Sequence, residues 1–430
     1  MPTHAASDVI VAPGLSLRTP TRVQGWLPWA IWVVLFFFFT YFETQSVAGI
    51  KYAVLWRLAV FGPALFIIWT HPLPLGASAM THLWWAYLFF SFGPLWCIAL
   101  GIPDVGYSVN LAANRLFVPI MLMALMALRW YPVADLAVRA FPLFLCIIAL
   151  PLLAGWLPPV GLQWSLAAVS GLDLTAYNSV FQNQHSASLA HAIGGICAFT
   201  LAARFPGKRS VFYLALAMGC LALCVLTTAR AGLLGMILGL FLVAVYTRKV
   251  RLLAAPAALV VFALLITAMA KPEMIQMVQN RLTGQTLYTK GPSADTLTSG
   301  RLTLQSDALR GWAQSEPMQL VLGLGREGTK QNNLRLNGNY LIAHSAFVDE
   351  LSAYGIVGFL SLMATLLMAY RIAWQNARLG YPAGLACLVA LCVFGSLQAM
   401  DYSFQNMIIG MVLVLETRAA SIRRRILGQP

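Results

Sequence analysis

Charge is scarce in this sequence. Asp, Glu, Lys and Arg make up 10% of its 430 residues, where soluble domains carry about 25%. With 60% hydrophobic residues and a mean hydropathy of +0.75, that shortage excludes an ordinary soluble domain and leaves a polytopic membrane protein. Acidic residues are the scarcer sign, 14 against 28 Lys and Arg, for a net charge of +14. The excess does not read as a nucleic-acid surface, because most of the basic residues sit at the ends of apolar spans. The seven cysteines (Cys97, Cys146, Cys197, Cys220, Cys224, Cys387 and Cys392) all fall inside apolar spans. They read as core packing, which excludes a disulfide framework or a zinc site. The first 25 residues are polar and hold no apolar run with a small-residue cleavage site, so the first span is expected to stay as an anchor. No Asp-x-Asp pair, Walker loop, dinucleotide fingerprint or His/Cys metal spacing occurs. Asp349 and Glu350 are the only abutting carboxylates. These absences point to cationic side chains, and not a metal, as the groups that handle phosphate.

What is present is a series of apolar runs, each near the ~20 residues that cross a bilayer. They lie at 26–42, 52–70, 83–102, 112–130, 140–157, 185–203, 210–227, 231–247, 252–270, 346–370, 383–400 and 402–417. Each must be helical, since lipid offers no partner to a free backbone group. The expected fold is therefore all-α, with about twelve transmembrane helices. It divides into 1–270 with nine spans, a polar interval 271–343, and 344–430 with the last three. Arg18 and Arg22, Arg129 and Arg139, Arg204 to Arg209, Arg248 to Arg251, Arg371 and Arg378, and Arg418 to Arg425 all fall in connections on one side. The positive-inside rule then puts both termini in the cytoplasm and the 271–343 loop outside. A long loop translocates largely regardless of its charge, so its eight Lys and Arg need another reason.

Within that loop, Met274 to Leu282 and Arg301 to Trp312 read as helices, the second with Ser299-Gly300 as its start signal. The Gly-, Thr- and Ser-rich 284–300 reads as a connector, and Leu322 to Gly325 as a tight turn. The outward segment 158–184 contains Trp164 to Val169, which reads as a short interfacial helix. No repeat of 20–50 residues is found.

Three residues carry the chemistry best. Arg230, in Thr227-Thr-Ala-Arg230, stands at the outer end of a span. A charge there faces a cavity or a partner, or else simply shapes a two-residue turn. Arg301 opens a helix after Ser-Gly, where guanidinium and free amides both meet an anion; the alternative is a solvated loop arginine. His344 opens the span after the loop and suits general-base work on a hydroxyl, or is an interfacial histidine with satisfied bonds. Arg310 and Arg326 are candidates for holding substrate. Asn183, Gln184 and His185, at the mouth of the sixth span, either line the same cavity or cap that helix. Arg57 and Arg115 also lie in or near spans, with weaker cases.

In this order, Thr227-Thr-Ala-Arg230, Ser299-Gly-Arg301 with Trp312, and Ala343-His344 leading to Glu350-Leu-Ser-Ala-Tyr-Gly355-Ile-Val-Gly358 resemble the O-antigen ligase and polymerase superfamily. The resemblance covers about residues 175–370. Where members of that family commonly have Asn after the His, this chain has Ser345. The resemblance implies a GT-C-like glycosyltransferase of the bacterial inner membrane that works from the periplasmic face without a metal or other cofactor. Its donor is a glycan on undecaprenyl diphosphate. The ligase branch passes the glycan to lipid A–core oligosaccharide, and the polymerase branch joins repeat units that stay lipid-linked. A third branch transfers to protein and usually has a longer C-terminus. The short tail here ranks that branch third, and the overall layout places ligase ahead of polymerase. The resemblance assigns catalysis to Arg230, Arg301 and His344. A transporter of lipid-linked glycan is the rival from another class. It explains the embedded arginine and the span number, but neither the long outward loop nor the lack of half-to-half symmetry.

Overall fold

The computed structural model describes residues 46–47, 50–71, 73, 78–99, 105–157, 177–181, 183–227, 229–258 and 301–427. The expected spans at 26–42 and over most of 252–270, the loop helix at 274–282, the connector at 284–300 and most of 158–184 lie outside these residues. In chain order the helices are α1 (Tyr52–Thr70), α2 (Ser78–Ser91), α3 (Gly93–Ala99), α4 (Val105–Ala127), α5 (Tyr131–Leu153), α6 (Gln184–Arg204) and α7 (Lys208–Leu226). They continue with α8 (Arg230–Thr247), α9 (Arg301–Ala313), α10 (Pro317–Leu322), α11 (Gly325–Asn337), α12 (Ala346–Arg378), α13 (Ala383–Leu397) and α14 (Ser403–Ile426). A two-residue hairpin pairing Ser46 with Lys51 and Val47 with Ile50 is the one sheet among the described residues.

The all-helical membrane architecture is thus as expected. Six helices among the described residues are long and apolar enough to cross a membrane: α4, α5, α6, α7, α8 and α12. Two further apolar helices, Ala59–Thr70 and Ala383–Leu397, are shorter. The expected single span at 83–102 is instead two helices, α2 and α3, parted at Phe92. Pro94 accounts for the break, because its ring removes a donor and disfavours helical backbone just before it.

The α6 helix is the axis of the bundle. Its whole apolar window is buried, and α5, α7, α8 and α13 pack around it. Helices in lipid associate by close packing, since tails are as apolar as Leu, and small residues permit it. At Gly235 of α8 a Cβ would stand 2.9 Å from the Ala390 carbonyl of α13, so only glycine lets these two backbones meet.

At one end of the bundle the cations are tied down. Arg204 lies 3.6 Å from the Glu416 carboxylate and donates to the Gly380 carbonyl at 3.3 Å. Glu416 in turn accepts from the amides of Ala383 and Gly384 at 2.8 and 2.7 Å, satisfying the free N-terminus of α13. Arg423 donates to the Leu379 carbonyl at 2.5 Å, Lys249 to that of Ala203, and Arg418 covers the Tyr131 ring at 3.9 Å.

At the other end, α9, α10 and α11 form a small cap on α12. Arg301 to Trp312 is helical as the sequence predicts, and Leu322 to Gly325 is the short joint between α10 and α11. Asn337 donates to Asp307 at 2.8 Å, and the Trp312 indole to the Leu320 carbonyl at 3.3 Å. The cap meets α12 where that helix breaks, at Gly355 (φ 69°). A Cβ on Gly355 would stand 2.3 Å from the Val321 carbonyl, and one on Gly323 (φ 92°) 2.2 Å from the Ala353 carbonyl. The Leu324 amide then donates to the Ser352 carbonyl at 3.0 Å. Two glycines, each in a backbone region that side chains avoid, thus let chain pass against chain.

Candidate active site

Three elements bring the predicted chemistry together at this capped end. The first is the turn between α7 and α8. Thr227 donates to the Cys224 carbonyl at 2.6 Å and accepts from the Ala229 amide at 3.3 Å, which ends α7 and launches α8 with Arg230 as its first residue. The Arg230 side chain is exposed. Thr227 builds the turn, and Arg230 stands at its tip.

The second element is the start of α9. Arg301 donates from Nη1 to the Leu397 carbonyl at 2.7 Å. With the Gln398 amide turned so that its oxygen faces the guanidinium, that oxygen accepts from Nη1 and Nη2 at 3.1 and 2.6 Å. Arg301 is held down to about 10, first by burial and then by the like charge of Arg230. Two guanidinium groups that repel each other in a partly dry site are arranged to receive an anion.

The third element is the entry to α12. His344 has φ 55°, in the left-handed region. The loop is fixed by Asp349, whose Oδ1 accepts from the Ala343 amide at 2.8 Å, and by Ala346, whose amide donates to the Gln398 carbonyl at 3.0 Å. The His344 imidazole is lowered to about 4 by burial, then by Arg301 and Arg326. It is neutral at physiological pH, as a proton acceptor must be.

The remaining candidates divide. His185 lies 3.2 Å from the Gln398 amide and within electrostatic reach of Arg301 and His344. Gln184 is beside it, with a buried Oε1 that has no hydrogen-bond partner among the described residues. Asn183 is a helix cap: its Oδ1 accepts from the amides of His185 and Ser186 at 3.0 and 2.9 Å, which leaves that oxygen committed to the helix end. Arg326, in the first turn of α11, covers the Tyr107 ring at 4.2 Å and faces both His344 and Asp349. Arg310 does not join them. Nine residues after Arg301, it lies two and a half turns or ~13 Å along the helix, with a 59% exposed side chain paired to Asp307 at 3.7 Å.

Beside the His344 turn is a cavity of about 500 Å³, open mouth included, with Tyr107, Arg115, Arg326, Asp349, Glu350 and Asp401 among its walls. Ile342 and Ala346, on either side of His344 in the chain, also line it. A second cavity, of about 580 Å³ and mainly apolar, shares Phe90, Leu362, Met400 and Asp401 with the first and continues between α2, α12 and α14. No group of three His, Cys, Asp or Glu side chains converges to hold a metal ion among the described residues.

Gln398, Glu350 and Asp401 were missed as members of this region. The signal for the last two was available, because a charge near apolar spans, such as Arg115, needs an opposite charge. Gln398 carried no signal, since one polar residue after an apolar run reads as a helix end.

A helical membrane bundle with a cationic, histidine-bearing site at one end is the class that fold and site define. Residues 213–363 match the sequence model of the family described as O-antigen ligase, a stretch that contains Arg230, Arg301 and His344. The matched stretch is under half of the chain, and over it the chain is similar to the O-antigen ligase family. No curated protein matches the chain.

Proposed function

We propose that this protein is an O-antigen ligase, moving a glycan from undecaprenyl diphosphate to lipid A–core oligosaccharide at the periplasmic face of the inner membrane, with both termini cytoplasmic. The observation that carries the reading is the convergence of Arg230, Arg301 and His344 from three separate elements. The donor enters from the bilayer, and its diphosphate settles between the two arginines. The acceptor sugar occupies the cavity walled by Arg326 and Asp349. An acceptor hydroxyl attacks the anomeric carbon as the bond from that carbon to the diphosphate oxygen breaks. The electron pair leaves with the diphosphate, the hydroxyl proton passes to His344, and the configuration inverts. Arg230 and Arg301 stabilise the charge that develops on the leaving group, an effect strengthened where water is scarce.

Substrate also tunes the base. The same arginine that holds the diphosphate depresses His344. A bound diphosphate neutralises that field and raises the imidazole toward its ordinary value, so the proton acceptor strengthens only when the donor is in place.

The test is a reconstituted assay with purified protein, lipid-diphosphate glycan, rough lipopolysaccharide and EDTA, read on a gel. Glycan appearing on the lipopolysaccharide is the expected result. Lengthened lipid-linked chains with unmodified lipopolysaccharide would make the protein a polymerase. Transport of the glycan across a vesicle membrane with its linkage unchanged would overturn the enzymatic reading.

A further inference from the structure

Arg115 lies in α4 with a side chain only 4% exposed, and the transfer scheme above gives it no role. Its Nη1 and Nη2 donate to the two carboxylate oxygens of Glu350 at 3.0 and 2.7 Å. Its Nε donates to Asp401 Oδ1 at 2.7 Å, and Nη2 to Asp401 Oδ2 at 3.3 Å. Phe90 and Tyr354 lie against the guanidinium at 4.1 and 5.2 Å. Stability alone is a weak reason to bury such a triad, because apolar side chains of like volume usually serve as well or better. Geometry is a stronger one, since a planar fork with five fixed donors sets the distance and angle between whatever it joins.

The two things joined here are the two halves of the site. Glu350 lies six residues after His344, within the part of α12 that precedes its break. Asp401 is three residues after Gln398, whose side chain meets Arg301 and His185 and whose carbonyl receives the Ala346 amide. We propose that Arg115 is a positioning residue for glycan transfer: by clamping Glu350 and Asp401 it fixes the His344 turn against the 398–402 linker that holds Arg301. The inference rests on the reaction proposed above, and it adds a residue that acts through Glu350 and Asp401 from the wall of the acceptor cavity.

The test uses the full-length protein in the ligation assay with two variants, each checked for its unfolding midpoint. Arg115→Lys keeps the charge and loses the fork. Its kcat is expected to fall about tenfold to 100-fold, with the KM for donor nearly constant and the midpoint close to wild type. The triple variant Arg115→Met/Glu350→Met/Asp401→Leu removes every charge together. It is expected to match wild-type stability and still show the same fall in kcat. Wild-type kcat in Arg115→Lys, or kcat restored together with stability in the triple variant, would show a purely structural triad and overturn the proposal. If the triple variant does not fold, the lysine variant decides alone. Wild-type protein that transfers nothing would count against the ligase reading itself, whereas active wild type with equally active variants would count only against Arg115.

Discussion

The two ends of the bundle treat positive charge differently. At the end carrying Arg204, Lys249, Arg418 and Arg423, each cation has a carbonyl, carboxylate or aromatic face as its partner. At the other end Arg301 also has a carbonyl partner, at Leu397, but burial and then the like charge of Arg230 hold it down to about 10. Cations of the first kind hold helix ends and orient a membrane protein. Cations placed in mutual repulsion are relieved by an anion, which is the role proposed above for this pair. Burial alone does not mark this difference, because Arg204 and Arg115 are both more buried than Arg230.

The comparison can be broken most directly at the working end. His344→Ala and Arg301→Ala are each expected to lower glycan transfer by about 100-fold or more, with monodisperse protein on size-exclusion in detergent. Retained transfer in either would remove that residue from the scheme. Next comes Gly355→Ala. A left-handed backbone alone costs ~1–2 kcal/mol for an alanine, and the new Cβ would meet the Val321 carbonyl at 2.3 Å. Transfer should drop roughly tenfold or more as the cap lifts from α12, and proteolysis of the 301–343 region should quicken.

The pH profile sharpens the same contrast. The base must be neutral, and His344 is held near 4 in the free protein. Activity at low donor concentration should therefore persist as pH falls through 6.5 and be lost only near 4. Arg326→Gln removes one cation from beside the imidazole, so the acid limb of kcat/KM should move to higher pH; an unmoved limb would show that His344 is not the titrating group. At the opposite end, Glu416→Ala leaves Arg204 without its carboxylate and α13 without its cap. Unfolding should become easier by about 3 kcal/mol, while transfer per folded molecule is unchanged. The smallest effect is expected for Arg310→Ala, within about twofold of wild type, since exposed ion pairs contribute little.

Much of this was legible in the sequence for physical reasons that can be named. The spans followed from hydrocarbon thickness, and the loop helix that opens at Arg301 from its Ser299-Gly300 start signal. Arg230, Arg301 and His344 stood out because each is a polar residue at an apolar boundary. Their meeting in space did not follow from periodicity, and Arg310 stood as a substrate-holding candidate beside Arg301 because a charge count cannot tell opposite faces of one helix apart. At Asn183 the helix-cap alternative is the one the structure displays. A polar residue ahead of an apolar run serves the helix end before it serves a ligand. The Arg115, Glu350 and Asp401 triad was hidden by distance, since Arg115 is separated from Glu350 by 235 positions and from Asp401 by 286.

The left-handed backbone at His344 sets rules for any library of replacements at that position. Every newcomer must first tolerate φ 55°, a shape that excludes β-branched side chains and welcomes Asn, Asp and His. It must then carry a proton. Asn passes the first sieve and fails the second. Asp passes both, but its carboxylate beside Arg301 and Arg326 would compete with the donor for the very cations the donor needs. Histidine alone among these offers the permitted shape, a lone pair for the proton, and no charge of its own before the reaction begins.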